Sequence, residues 1–311
     1  MIKEVSCFLI GAIVLIGLGT TVTAFNQKNE DTNRYCTTES PYVDELDQSV
    51  TEFSGTLPVG NIYLGSHVNL SVAQSFIPQL EVLTRIQFFM ACNTSTSQPC
   101  VVAVRDNLTS SNLAVVKLAP SEFPVVNGTP TQDQLAWITF DIDDIWVNPG
   151  QIYYIVLFTT NITGNFYWVA ENGTNIYPNG TVFLSIDEGM TWTEFVDADS
   201  CFQTYGLHET FLQITPSGGV GLSFIIKNIG NYTAWDVTVN LTIAGGLVFL
   251  GKSFSTIQSE LPPGQQIIFQ LGFILGFGKA IISLRISAAN VKEIFSQTNA
   301  LVLLFFIIAF H

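Results

Sequence analysis

From about residue 50 to residue 295 the apolar positions come in short runs, not at the spacing of a helix face. The runs are rich in Val, Ile, Thr, Phe and Tyr, and clusters of Gly, Pro, Asn and Asp separate them, the pattern of strands joined by turns. They predict strands at 68–76, 83–90, 101–104, 114–118, 136–141, 152–158, 166–169, 182–186 and 201–205. About nine short strands in about 160 residues suit a two-sheet jelly roll. A second series at 211–214, 220–227, 234–243, 247–250, 267–271, 280–286 and 300–310 makes about seven strands in about 100 residues, the count of an immunoglobulin-like sandwich. The expected fold class is all-β. A jelly-roll β-sandwich covers 49–207 and an immunoglobulin-like β-sandwich covers 208–311, with the boundary near 206–210.

The two ends break the pattern. Residues 1–24 have the layout of a secretory signal: Lys3, an apolar core at 8–18, and the small-residue site Val22-Thr23-Ala24. The alternative is an uncleaved membrane anchor, because 5–24 is long enough as a helix to span a bilayer. Residues 25–48 form a polar, acidic lead-in. The run 300–310 (ALVLLFFIIAF) reaches only about 17 Å as a helix against a hydrocarbon core of about 30 Å. It is expected to be a core strand buried on both faces, with docking on a membrane or a neighbouring subunit as the alternative.

Composition narrows the function classes. With 48% hydrophobic and only 12% charged residues the chain has ample apolar surface to bury, which excludes disorder over most of its length. A net charge of −14 leaves no basic footprint for nucleic acid and argues against adhesion to anionic headgroups. Only three His are present, so imidazole chemistry has little to work with.

Asn-X-Ser/Thr occurs at Asn69, Asn93, Asn107, Asn127, Asn161, Asn172, Asn179, Asn231 and Asn240, against roughly three or four expected by chance. The surplus points to an N-glycosylated, exported surface; the alternative is that Asn, Gly and Thr crowd β-turns. Once Cys7 leaves with the signal, Cys36, Cys92, Cys100 and Cys201 remain, an even set that fits an oxidising compartment. Cys92 and Cys100 flank a polar segment between two strand-like runs, so a hairpin bridge Cys92–Cys100 is expected, leaving Cys36–Cys201. Zinc spacing is absent.

Three stretches carry resemblances. The segment 225–239, with Asn228-Ile229-Gly230-Asn231-Tyr232-Thr233-Ala234, followed by Leu261-Pro262-Pro263-Gly264, resembles the CARDB-like modules, immunoglobulin-like domains of exported prokaryotic proteins linked to cell adhesion. That likeness implies a spacer or adhesive role and transfers no catalytic residue. Gln74-Ser75-Phe76-Ile77-Pro78, Pro149-Gly150-Gln151-Ile152-Tyr153, Phe166-Tyr167-Trp168 and Phe202-Gln203-Thr204-Tyr205-Gly206 look like a jelly-roll module of secreted surface proteins, similar in architecture to carbohydrate-binding modules. Ser185-Ile186-Asp187-Glu188-Gly189-Met190-Thr191-Trp192 resembles the Asp-box of sialidase-like propellers. In propellers that box is structural and repeats; here it occurs once, which implies a hairpin and not sialidase activity. Asp187 is expected to accept turn amides, Gly189 to take a positive φ, and Trp192 to pack over the turn.

Among the aromatic residues of the first sandwich, Tyr167, Trp168 and Tyr177 are the candidate glycan platform, since pyranose C–H faces stack on rings. For each ring singly, burial in the core is the competing reading. Asp141, Asp143 and Asp144 are a weak candidate for structural Ca²⁺, against an ordinary solvated turn. No other cofactor or metal is implied. A serine nucleophile would need His67 or His208, and no Gly-x-Ser-x-Gly elbow is present. The reading is a secreted or cell-surface, non-catalytic glycoprotein that binds polysaccharide or mediates adhesion. The alternatives are a passive component of an outer layer, contacting neighbouring envelope proteins, and a two-carboxylate glycosidase.

Overall fold

The computed structural model describes residues 43–217, 222–271 and 274–310. The expected signal segment, most of the lead-in, Cys36 and His311 lie outside the described residues. These residues are all-β: strands throughout, two single-turn 3-10 helices at Pro120–Glu122 and Gln132–Gln134, and no α-helix among them. No helix among them is long and apolar enough to cross a membrane.

The first series comprises β1 (Glu45–Ser49), β2 (Gly55–Tyr63), β3 (His67–Phe76), β4 (Val82–Asn93), β5 (Cys100–Arg105), β6 (Ala114–Leu118), β7 (Val125–Val126), β8 (Ala136–Trp146), β9 (Tyr153–Thr159), β10 (Phe166–Asn172), β11 (Val182–Ser185), β12 (Thr193–Phe195), β13 (Asp199–Ser200) and β14 (Phe202–Leu207). They hydrogen-bond into one 14-stranded sheet whose main path runs β1-β14-β4-β10-β2-β3-β9-β5-β6. The β2–β3 hairpin turns this path over, so that two layers enclose one core. Ile86, Phe88, Phe140, Tyr167 and Phe202 enter that core from one layer; Val72, Phe76, Val102, Ile155 and Leu157 enter from the other. The two-residue period of a strand explains the choice, since alternate side chains share a face. β4 departs from it at a register shift between Leu83 and Arg85, which lets both Leu83 and Ile86 point inward. A satellite cluster of Ala91, Val126, Leu135, Ala170 and Cys201 packs with Phe89, Trp137 and Trp168.

The second series is β15 (Leu212–Ser217), β16 (Leu222–Asn228), β17 (Ala234–Ala244), β18 (Leu247–Leu250), β19 (Ser253–Leu261), β20 (Gln266–Leu271), β21 (Leu275–Ala288), β22 (Val291–Leu304) and β23 (Phe306–Phe310). A three-stranded sheet β15-β16-β20 faces a six-stranded sheet β19-β17-β21-β22-β23, with β18 added to β21. Phe224 and Ile226 meet Val237, Val239, Leu241, Ile282, Leu284 and Ile286 between them. Asn228 ties the turn after β16: its amide donates to Tyr232 O at 2.8 Å and Leu261 O at 2.7 Å, and its oxygen accepts Gly230 N at 2.9 Å. Gly264 supplies the positive φ of the turn before β20. Between the two series Asn290 donates to His208 O at 2.8 Å and Thr233 O at 2.9 Å, and Lys292 pairs with Glu209 at 3.1 Å.

Two expectations are corrected. The run 300–310 is not one strand buried on both faces. It finishes β22, turns at Leu304 (φ 58°) and returns as β23, with Leu304, Phe305 and Phe306 exposed. Cys92 and Cys100 do not bridge a hairpin. β4 and β5 lie in opposite layers, the segment between them crosses from one to the other, and Cys92, Cys100 and Cys201 are all buried thiols. Asn165 holds that crossing, its side-chain oxygen accepting Ser97 N and Gln98 N at 2.9 Å each.

Candidate functional site

The expected ring platform is dispersed. Tyr167 sits in the core, where its hydroxyl donates to Gln98 O at 2.5 Å and its ring packs 4.7 Å from Phe123. Burial pushes its pKa up, with Cys100 and Cys92 adding to the rise. Tyr177 is buried against Phe202; its hydroxyl accepts Ile77 N and donates to Gln48 Oε1, both at 3.0 Å. Trp168 lies in the satellite cluster, with its indole nitrogen buried and unpaired. The parity of β10 separates Tyr167 from Trp168, so the two cannot form one surface.

The acidic residues are also spread. Asp141 and Asp143 stand on the outer face of β8, and burial followed by the nearby Asp44 raises the pKa of Asp141, partly offset by Arg85. Arg85 is committed to Asp44, with Nε to Oδ2 at 2.7 Å and a second bond at 2.9 Å. Among the described residues no group of three His, Cys, Asp or Glu is placed to hold a metal. The sequons divide by exposure: Asn107, Asn127, Asn161, Asn179 and Asn231 are exposed, Asn93 and Asn240 half-buried, Asn69 and Asn172 buried. Asn172 is consumed by its own turn, accepting Thr174 N at 3.0 Å and Thr174 Oγ1 at 2.6 Å.

A different surface is shaped for a ligand. The outer face of the layer β12-β11-β3-β9-β5-β6 carries a groove of about 670 Å³. Its floor is Ser71, Val101, Val156 and Phe158, set by register: Val101 lies opposite both Phe158 and Lys117, and Val156 opposite both Ala73 and Ala103. Small Ala73 and Ala103 on either side of Val156 keep that floor low. On the β6 side stand Arg105, Asn112, Val115 and Lys117; on the β11 side stand Asn161, Glu188, Gly189 and Trp192.

The second wall is the Asp-box-like hairpin, and its mechanics are those expected. Asp187 Oδ1 accepts Thr191 N at 2.8 Å and Ser185 Oγ at 2.8 Å, and Oδ2 accepts Thr191 Oγ1 at 2.6 Å. These bonds, the Thr191 hydroxyl first, hold its pKa at about 2. Gly189 (φ 88°) follows Glu188, a non-glycine residue at φ 61°. That left-handed conformation is costly for glutamate and turns its carboxylate to the rim, where Asn161 Nδ2 donates to Oε1 at 3.1 Å. Asn61 donates to Asn161 Oδ1 at 2.8 Å and meets His67 Nδ1 at 2.9 Å. Trp192 Nε1 donates to Gly189 O at 3.0 Å.

On the opposite wall Arg105 Nε donates to Asn112 Oδ1 at 2.7 Å and its Nη1 to Leu108 O at 2.8 Å, both neutral acceptors. Burial lowers its pKa. Asn69, 8% exposed, lines the groove with its side-chain oxygen buried and unpaired. Glu188 is the one carboxylate among the described lining residues, whereas glycoside hydrolysis ordinarily uses a pair. Of these residues, sequence reasoning singled out Gly189, Trp192, Asn69 and Asn161 for other roles and missed Arg105, Asn112, Lys117 and Phe158. The available signal was parity: Val101, Ala103 and Arg105 share the face opposite the core residues Val102 and Val104. No family model matches the chain, and no curated protein does.

Proposed function

We propose that this chain is a non-catalytic secreted or cell-surface protein whose first sandwich binds glycans in the groove between the 185–192 turn and β6. Trp192 carries the reading. Its N–H is already bonded to Gly189 O, so what it offers a ligand is its ring, which lines the groove with Phe158. A pyranose stacks its C–H face on such a ring, while amides and carboxylates bond the hydroxyls. Asn112, Asn161 and Glu188 are side chains of that kind, and the strands behind them reduce the ordering cost of binding. An exported location accords with the signal-like first 24 residues and the four exposed sequons that lie outside the groove, at Asn107, Asn127, Asn179 and Asn231.

The test is a glycan array with the purified chain, followed by calorimetry on Trp192→Ala. The substitution is expected to weaken binding at least about tenfold, or about 1.4 kcal/mol, with circular dichroism unchanged. Failure of the unmodified chain to bind any immobilised polysaccharide removes the reading. One observation favours a second reading, a building block of an outer layer. Leu247, Phe277, Leu303 and Phe306 lie in one cross-strand row at an end of the second sandwich, and Leu247, Phe277 and Phe306 are exposed.

A further inference from the structure

We infer that the groove selects an acidic saccharide, one carrying carboxylate or sulfate groups, over a neutral one; this rests on the glycan reading above and names its ligand class. Residues 43–207 contain three cations, Arg85, Arg105 and Lys117, against seventeen carboxylates. Arg85 is neutralised by Asp44 and covered by the Tyr205 ring at 3.8 Å. The other two both line the groove, and among the described residues neither forms an ion pair.

Arg105 is half-buried and satisfied only by the neutral oxygens of Asn112 and Leu108. A partly desolvated guanidinium without a counter-ion gains from an incoming anion, because charge-assisted bonds are stronger than neutral ones. Asp106, one residue past the end of β5, is exposed and forms no ion pair with it. Lys117 lies opposite Val101, four residues before Arg105, so the two cations stand roughly 13 Å apart along the sheet at about 3.3 Å per residue. An extended oligosaccharide touches both. Asn69 adds a second observation, a buried acceptor with no partner on the groove wall, suited to a hydroxyl donor. Glu188 across the groove repels an anionic group and accepts hydroxyls, which orients the ligand with its charge toward β6.

The experiment is calorimetry on the full chain with four polymers: polygalacturonate, its carboxyl-reduced neutral counterpart, dextran sulfate and dextran. Lys117→Gln, Arg105→Gln and Trp192→Ala are run beside it. At least one anionic polymer is expected to bind about tenfold or more tighter than its neutral counterpart, with affinity falling as salt rises. The carboxylate and sulfate arms tell the two anion sources apart. Lys117→Gln, a substitution at an exposed position, is expected to lower anionic affinity about threefold to tenfold, a larger factor than it takes from neutral binding. Equal affinity for charged and neutral polymers overturns the inference and leaves the glycan reading standing. Anionic binding that neither Lys117→Gln nor Arg105→Gln alters overturns it too, by locating the anion elsewhere. Absence of binding to all four polymers and to a neutral glycan array overturns both.

Discussion

A tyrosine in a strand brings a ring and a hydroxyl, and position parity together with the partner strand decides which of them meets water. Tyr167 falls on the inner parity of β10 and spends both on the core, while Trp192, outside any strand, keeps its ring at the surface. The same logic governs sulfur. Cys92, Cys100 and Cys201 are buried, and burial pushes each thiol pKa up, that of Cys201 to about 12. A thiolate is the reactive species, so these cysteines should be inert while the chain is folded. Iodoacetamide at pH 8 with peptide mapping should leave all three unmodified in buffer and modify all three in concentrated guanidinium. Labelling of Cys100 in buffer at the rate of a free thiol would contradict the burial described.

At the scale of an element, the 185–192 hairpin depends on one carboxylate. Asp187 has a folded pKa near 2 against an ordinary value of 3.8, so its contribution is fully present above about pH 4 and disappears as pH falls through about 2. Asp187→Asn keeps one acceptor and loses the charge. It should raise the exchange rate of the Thr191 amide roughly tenfold at neutral pH. It should also flatten the fall in that amide's protection, its rate relative to an unstructured amide at the same pH, that the native chain shows between about pH 4 and pH 2. An unchanged Thr191 exchange rate in the variant would show that the turn does not rely on this residue. Strands with an uninterrupted apolar period, such as β6 and β18, were legible to the residue. β2 was not, because Pro58, Gly55 and Gly60 interrupt its pattern, and β19 was not, because six of the nine residues of SFSTIQSEL are polar and its apolar ones do not alternate. Both are strands because neighbours pair with them: β2 with β3 and β10, β19 with β17. The length of β22 was hidden in the same way, its polar first half being drawn into register by β21.

For the whole molecule, charge and apolar surface are distributed unevenly. Between residues 208 and 311 there are four carboxylates, and Glu260 and Glu293 lie away from the β18–β21–β23 end, against Trp235 and Arg285 respectively. That end exposes Leu247, Phe277 and Phe306 in one cross-strand row, with Phe249 and Leu250 of β18 exposed as well, more apolar surface than scattered single residues require. If the outer-layer reading holds, sedimentation of the chain at tens of micromolar should show concentration-dependent association. Phe277→Ser with Phe306→Ser should return it to monomer without changing its circular dichroism. A monomer at all concentrations would leave that reading without support.

The alternation of apolar and polar residues along this chain was enough to determine an all-β molecule and most of its strands, because a strand's two-residue period is a local property. It also determined the 185–192 turn, whose bonds run between residues at most four apart. Which rings reach water, whether the cysteines are buried and which cations share a groove were decided by the tertiary structure alone. Those outcomes depend on the pairing of β3, β9, β5 and β6 and on the fold-over at β2–β3, contacts between residues far apart in sequence. A one-residue slip in any of those registers would exchange the groove for the core.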